Sequence, residues 1–233
     1  MKEFTSKSLD TANDLTIGNR KAHHMSRAFA EISFTPSVLA VQEQLGSAKG
    51  YAKFLSSDAE RGDRIGPAEA GFISRMDGFF QATVSETGWP YVQFRGGPAG
   101  FLKVLDETTI AYADFRGNRQ YVSTGNLAGN DRVSLILVDY PNRRRLKVWG
   151  RARLVGLEED PDLISQLQHE SYQGHPERAV VINIEALDWN CPQHIPQRLT
   201  LEELDAYLQP VRDEIARLQE QNRDLTMTLG QGS

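Results

Sequence analysis

The stretch GFFQATVSETGWPYVQFRGG, residues 78–97, decides the fold. Two apolar-rich runs flank a polar segment around Glu86 to Gly88, and in the second run Trp89, Tyr91, Gln93 and Arg95 alternate with Pro90, Val92 and Phe94. Alternation with period two belongs to strands, so the stretch reads as a β-hairpin closed by a glycine-containing turn. Downstream, FLKVLD (101–106), TTIAYADF (108–115), DRVSLILVDYP (131–141), RRLKVWGRARLVG (144–156) and RAVVINIEALDW (178–189) continue the series. Six or more short strands with mostly tight connections predict an antiparallel barrel or sandwich rather than a parallel α/β sheet. Val133 to Val138 is apolar on both faces, which predicts a central strand.

Helices flank this series. Upstream, Val38, Leu39, Leu45, Tyr51, Phe54 and Leu55 recur at roughly helical intervals after Pro36, with Gly46 as a stop, and Pro67 suits the first turn of a further helix. Between strands, Asp160 and Pro161 are the cap and first turn of another. Thr200 to Glu203, TLEE, has capping-box spacing, and Pro210 predicts the start of a second terminal helix. Leu204, Leu208, Val211, Ile215, Leu218, Asn222 and Leu225 alternate steps of four and three, a coiled-coil seam with one polar position. The tail is expected to pack on the body or on a second subunit. The expected division is a flexible extension (1–24), a helical segment packing on the barrel (25–76), the barrel (77–198) and C-terminal helices (199–233).

The 233 residues carry a formal charge of -5, which argues against nucleic acid and anionic membranes as partners; any anion site must be local. One cysteine, Cys191, allows no internal disulfide. No signal segment or membrane-spanning run is evident, so a cytoplasmic protein is expected. His23, His24, His169, His175 and His194 have no metal-ligand spacing, and no metal is expected.

Two basic features stand out against this acidic background. Arg143, Arg145, Lys147, Arg151 and Arg153 share one face of a strand in NRRRLKVWGRAR (142–153), with no acid inside the run; the face is either a phosphate-binding array or a solvated exterior. The second is DFRGNRQYVSTGN (114–126), where Arg116 and Arg119 surround Gly117 and Asn118 between a strand and an expected helix. Gly and Asn tolerate positive φ and would make the turn, and the helix start would aim N–H groups back at an anion.

These motifs occur in an order that resembles the pyridoxamine 5'-phosphate oxidase-like FMN-binding family over about residues 70–190. ATVSETGWPYVQ is similar to its ATV…G.P hairpin, and FRGNRQ…NLAGNDRVSL to its SRK…NL…NP.VSL block. The whole chain from Met25, with NCPQHIPQR, is similar to a subgroup of predicted flavin-nucleotide-binding proteins. The resemblance implies a split β-barrel homodimer with FMN between subunits. By position, Gly117, Asn118 and Arg119 match the family's Ser-Arg-Lys phosphate turn, within a cofactor-binding block that runs from Asp114 and Phe115 to Gln120. Lys103 matches a phosphate-approaching lysine, and Gln93, Phe94 and Arg95 match the strand that meets the flavin. Asn118 replaces the family's usual Arg, for which Arg116 is the nearest substitute.

True pyridoxamine phosphate oxidases end in a strand whose Trp and Arg serve cofactor and substrate, whereas this chain runs through DWNCPQHIPQRLT into helices, so vitamin B6 phosphate is not the expected substrate. An FMN-dependent oxidoreductase follows, with a reduced nicotinamide nucleotide, NAD(P)H, as a possible donor and no nameable catalytic acid or base. The alternative is a non-catalytic flavin-binding, sensor or partner-docking protein. Haem binding is a minor option, and Cys191 with His194 is either a structural turn or a redox pair.

Overall fold

The computed structural model describes residues 26–169, 172–189 and 193–230, which fall into two compact units, 26–138 with 145–189 and 139–144 with 193–230. The expectations for residues 1–24 and for Asn190 and Cys191 lie outside the described residues.

In the first unit, short helices precede the sheet: α1 (Arg27–Ser33), α2 (Pro36–Gln44), α3 (Ala48–Tyr51), a 3-10 turn (Ala52–Leu55) and α4 (Pro67–Ile73). Pro36 and Pro67 open α2 and α4 where a missing N–H costs nothing, and Gly46 follows α2 at φ 76°. α1 packs through Ala28 and Phe29, whose ring lies 4.6 Å from Trp149, while Ser26 donates to Leu187 O at 2.6 Å.

Seven strands follow: β1 (Gly78–Val84), β2 (Pro90–Gly96), β3 (Lys103–Asp106), β4 (Thr109–Phe115), β5 (Arg132–Asp139), β6 (Arg144–Gly156) and β7 (Pro176–Trp189). They form one antiparallel sheet in the order β2-β1-β5-β6-β7-β4-β3, a split barrel that does not close. The hairpin turns where the sequence predicts, with Gly88 at φ 84° and its N–H donating to Ser85 O. Between β4 and β5 lies α5 (Val122–Gly129), and between β6 and β7 lies α6 (Pro161–Leu167), capped by Asp160.

The 133–138 run is an inner strand as expected, and the strand buried on both faces is β4. Ile110 and Tyr112 enter the main core with Phe79, Leu135 and Val148, while Ala111 and Ala113 enter a second core under Leu163, Ile164 and Leu167 of α6. β5 lies inside the sheet between β1 and β6, but only Val133, Leu135 and Leu137 are buried; Ser134, Ile136 and Val138 are half-buried. Hydrophobicity on both faces marks burial only where something packs on both faces. Beside β5, the outer face of β1–β2 is apolar and open: the register pairs Phe80 with Phe94 and Ala82 with Val92, and Phe80, Phe94 and Val92 are exposed by 40%, 59% and 60%. β2 is thus inverted relative to an ordinary strand, with Gln93 and Arg95 inward and its hydrophobics out.

The basic stripe is answered by acids from neighbouring strands. Arg151 is 2.7 Å from Glu185 and 2.9 Å from Asp131, and Lys147 is 3.7 Å from its cross-strand partner Asp188. Burial pushes the Asp188 carboxyl above the usual carboxylate range against the pull of Lys147. Arg143 leaves the face altogether, sitting in the β5–β6 turn at φ 52°. The counter-charges of Lys147 and Arg151 come from β7 and the approach to β5, while Arg145 Nε is buried without a partner.

The second unit is dominated by α7 (Leu201–Gly230), whose start is closed by the expected capping box: Glu203 N donates to Thr200 Oγ1 at 3.2 Å and Thr200 N to Glu203 Oε2 at 2.8 Å. Pro210 does not begin a second helix but sits inside this one, on an exposed position. A single internal proline removes one hydrogen bond and costs about 3 kcal/mol, which kinks a long helix without ending it.

Among the described residues, no helix is long and apolar enough to cross a membrane, and no group of three or more His, Cys, Asp or Glu side chains is placed to hold a metal ion.

Candidate functional site

β4 delivers the chain to the turn that the sequence singles out. The β4–β7 register shifts between Asp114 and Phe115, which still pairs with Pro176, and Arg116 N donates to His175 O at 2.9 Å as the chain departs. Asn118 then accepts from Gln120 N through Oδ1 at 3.1 Å, an Asx-type turn. The left-handed residues are Arg119 (φ 62°) and Tyr121 (φ 53°), not Gly117 and Asn118. The Asn118 side chain does the turning that its backbone was expected to do, which moves the left-handed residues onto large side chains. Gly117 has open space where a Cβ would stand, so no contact demands glycine there. Left-handed non-glycine residues cost on the order of 1 kcal/mol each and gather where the backbone must present something.

That something is the first turn of α5. Tyr121 is its N-cap and gives no side-chain cap, so the leading N–H groups keep their donors. Val122, Ser123 and Thr124 border a small cleft whose opposite wall is the inward face of β2.

At the cleft's base lies an ionic cluster. Asp114, 6% exposed, accepts from Arg95 Nη1 at 2.6 Å through Oδ1 and lies 3.7 Å from Arg178 Nε through Oδ2. Arg178 also donates to Thr124 Oγ1 at 3.3 Å and Glu177 Oε2 at 3.2 Å, and its guanidinium lies 5.3 Å from the Tyr121 ring centroid. The Tyr121 hydroxyl donates to Glu177 at 3.1 Å. Arg95 lies over Tyr112 at 5.8 Å, and the Tyr112 hydroxyl donates to buried Gln81 at 2.8 Å. Burial raises the Tyr112 pKa far above the phenol range, with Arg95 opposing, so this group stays a neutral donor. On the β2 wall, Ser123 Oγ donates to Gln93 Oε1 at 3.1 Å and fixes that carboxamide.

The cleft therefore gathers Gln93, Arg95, Asp114, Phe115, Gly117, Asn118, Arg119 and Gln120. It does not gather Phe94, Lys103 or Arg116. Phe94 lies on the outer face of β2 against Phe80. Lys103 pairs with Ala111, and partners in register share a face, so it stands on the side of β4 opposite Asp114. Arg116 is exposed beyond the rim, 3.9 Å from Glu177. Arg178, which the sequence reading missed, lies behind the cleft's lining and contacts Asp114, Glu177 and Thr124. Its signal is a register, Asp114 opposite Arg178 in β4–β7, that no local motif reveals.

The arrangement suits an anion that also accepts hydrogen bonds. Two guanidiniums, Arg95 and Arg119, and two carboxylates, Asp114 and Glu177, line it, the helix start has no side-chain cap, and Arg95 Nε is buried without a partner. No carboxylate in the cleft is left over for acid–base work, since Asp114 and Glu177 both hold arginines.

A larger cavity of about 510 Å³ lies between residues 53–69 and the end of β7. Of its charged groups, Glu69 accepts from Trp189 Nε1 at 2.7 Å and from Gly66 N at 3.0 Å, and Arg64 pairs with Glu107 outside it.

No curated protein matches the chain. Among solved structures, HupZ of Group A Streptococcus is 16% identical with a TM-score of 0.45, over 58% of this chain and 99% of that one. General Stress Protein 26 of Bacillus anthracis is 15% identical with a TM-score of 0.40, over 51% of this chain and 88% of that one. An FMN-binding protein of Syntrophomonas wolfei is 13% identical with a TM-score of 0.40, over 64% and 97%. The family model of pyridoxamine 5'-phosphate oxidase matches residues 65–190, just over half of the chain and the whole span from α4 through β7. By that match, the chain belongs to the pyridoxamine 5'-phosphate oxidase family.

Proposed function

We propose that the protein binds FMN in the cleft between β2 and the start of α5 and acts as a flavin-dependent oxidoreductase, with NAD(P)H or another small molecule as donor. The observation that carries this reading is the uncapped start of α5, with Arg119 and the unpartnered Nε of Arg95 beside it, at the turn where the family holds its flavin phosphate. Arg119 and the first-turn N–H groups of α5 would hold the phosphate, with Arg178 bracing Asp114 and Thr124 behind them. Gln93 and Arg95 would address the ribityl chain or ring, with Arg95 offering its unpartnered Nε. FMN, when bound, supplies hydride or electron transfer, and the chain's own residues bind, orient and exclude water. Where true pyridoxamine phosphate oxidases continue into a substrate-binding strand, this chain goes on to α7, which favours a substrate other than a vitamin B6 phosphate.

The test is the visible spectrum of the purified protein after FMN loading, followed by titration of the Arg119→Ala variant. One charge-assisted contact is worth about 1.5–3 kcal/mol, so affinity should fall by roughly tenfold to a hundredfold. Protein that takes up no flavin, or unaltered affinity in the variant, contradicts the assignment. A flavin-loaded protein that turns over neither NADH nor NADPH would instead support the non-catalytic reading, which the lack of an uncommitted acid or base in the cleft also favours.

The proposal includes a homodimer. The cleft of one chain measures only about 50 Å³. A water occupies about 30 Å³ of liquid, so this space suits a phosphate-sized group and leaves the flavin ring in need of a further wall. The open apolar face of Phe80, Val92 and Phe94 is the reverse side of the strand that carries Gln93 and Arg95, so a subunit docked there would stand beside the cleft. Phe94→Glu is expected to lose flavin in spectral titration of the folded protein; flavin uptake left intact refutes this placement.

A further inference from the structure

We propose that α7 pairs with α7 of a second copy as a parallel, two-stranded coiled coil. The argument uses only the second unit and is independent of the cofactor.

The helix is continuous through Pro210, so its seam runs unbroken over three heptads. With Leu208, Ile215 and Asn222 at a, the d positions are Leu204, Val211, Leu218 and Leu225. Nothing described in the second unit covers these side chains: Val211, Ile215, Leu218 and Leu225 are exposed by 54%, 49%, 46% and 61%. A long helix in water depends on covering its apolar stripe, and an uncovered stripe at strict 4-3 spacing fits another helix better than a flat surface.

Three features select a second copy, in parallel. Asn222 is a lone polar residue at a, and in a parallel pair it meets its own copy, carboxamide to carboxamide. In an antiparallel pair centred on the seam it would face Leu204, burying an amide without a partner. The flanking positions agree. Parallel pairing sets Tyr207 against Arg212, Glu214 against Gln219 and Gln221 against Thr226 of the second helix, with no like charges opposed. Finally, Pro210 falls at c, away from the seam, and the pairs Arg217–Glu214 (2.7 Å) and Gln209–Asp213 (2.8 Å) lie along the helix's own flank.

Disulfide trapping of the full-length chain tests this. In a Cys191→Ser background, Leu218→Cys puts a thiol at d, where a parallel pair brings it to its own copy, and Asp213→Cys puts one at f, pointing away. Both variants share any proximity created by dimerisation elsewhere, so the comparison isolates the helix pair. Under mild oxidation the Leu218→Cys protein should give about tenfold more covalent dimer than the Asp213→Cys protein. Equal yields, or no dimer from Leu218→Cys, overturn the proposal and hand the seam to an antiparallel arrangement, to the chain's own body or to another protein.

Discussion

Asp114→Ala is expected to destabilise the protein by about 3 kcal/mol and to abolish flavin uptake. Removing one partner of a buried ion pair costs about 3–5 kcal/mol because a charge is left without compensation. The lower end applies here: Asp114 is almost fully buried, but the arginine side chains keep 15% and 20% exposure at the cleft, so water takes back part of the cost. The loss is not one bond. Asp114 holds Arg95 at 2.6 Å and Arg178 at 3.7 Å, and without it two guanidiniums repel across the base of the cleft. The freed arginines would attract anions but with no fixed geometry, which is why stability and flavin binding fall together. Urea unfolding checks the first effect and spectral titration the second. Asp114→Ala combined with Arg95→Met should recover part of the stability, since it removes the orphaned charge, and should recover none of the flavin binding. A loss below about 1 kcal/mol would mean that solvent already screens the cluster, as it does at surface pairs.

What the sequence revealed and what it hid divide along a physical line. Features set by a few adjacent residues were legible: the turn at Gly88, the proline-opened helices, the Asp160 cap, the Thr200–Glu203 capping box and the strand–turn–helix order around Arg119. Features set by what lies across a sheet were not. Arg178 meets Asp114, Arg151 meets Glu185 and Lys147 meets Asp188 only across paired strands. The alternation in β2 was legible, but not that its polar side faces in, because that depends on α5 closing over Gln93. Likewise β4 and β5 look similarly apolar, and only the position of α6 decides which is covered twice. The placement of positive φ fell between the two: Gly117 and Asn118 carry the local preference, and the hydrogen bond from Gln120 N to Asn118 overrides it. Pro210 was read by its local rule as a helix start, whereas the helix continues past it at the cost of one hydrogen bond.

Phe79→Ala should be as damaging as the loss of Asp114, and for a reason that links the core to the cleft. Phe79 is 1% exposed, stacked on Phe101 at 5.6 Å and 7° between planes, and set edge-on to Tyr112 at 5.3 Å. Truncating a buried phenylalanine costs about 3–5 kcal/mol, from lost transfer energy and from the cavity that remains. Here one wall of that cavity would be Tyr112, whose ring lies under Arg95 and whose hydroxyl is tied to Gln81. A ring free to tilt loosens the support of Arg95, so flavin affinity should fall by a few-fold even at temperatures where the variant is fully folded. Arg119→Ala should do the reverse, losing more affinity and almost no stability. Phe79→Leu separates volume from aromatic geometry: it refills most of the space and should cost under about 1.5 kcal/mol. If Phe79→Ala costs as little as Phe79→Leu, the core collapses around the gap; if it unfolds less readily than expected yet binds flavin normally, Tyr112 holds Arg95 without help from the aromatic cluster.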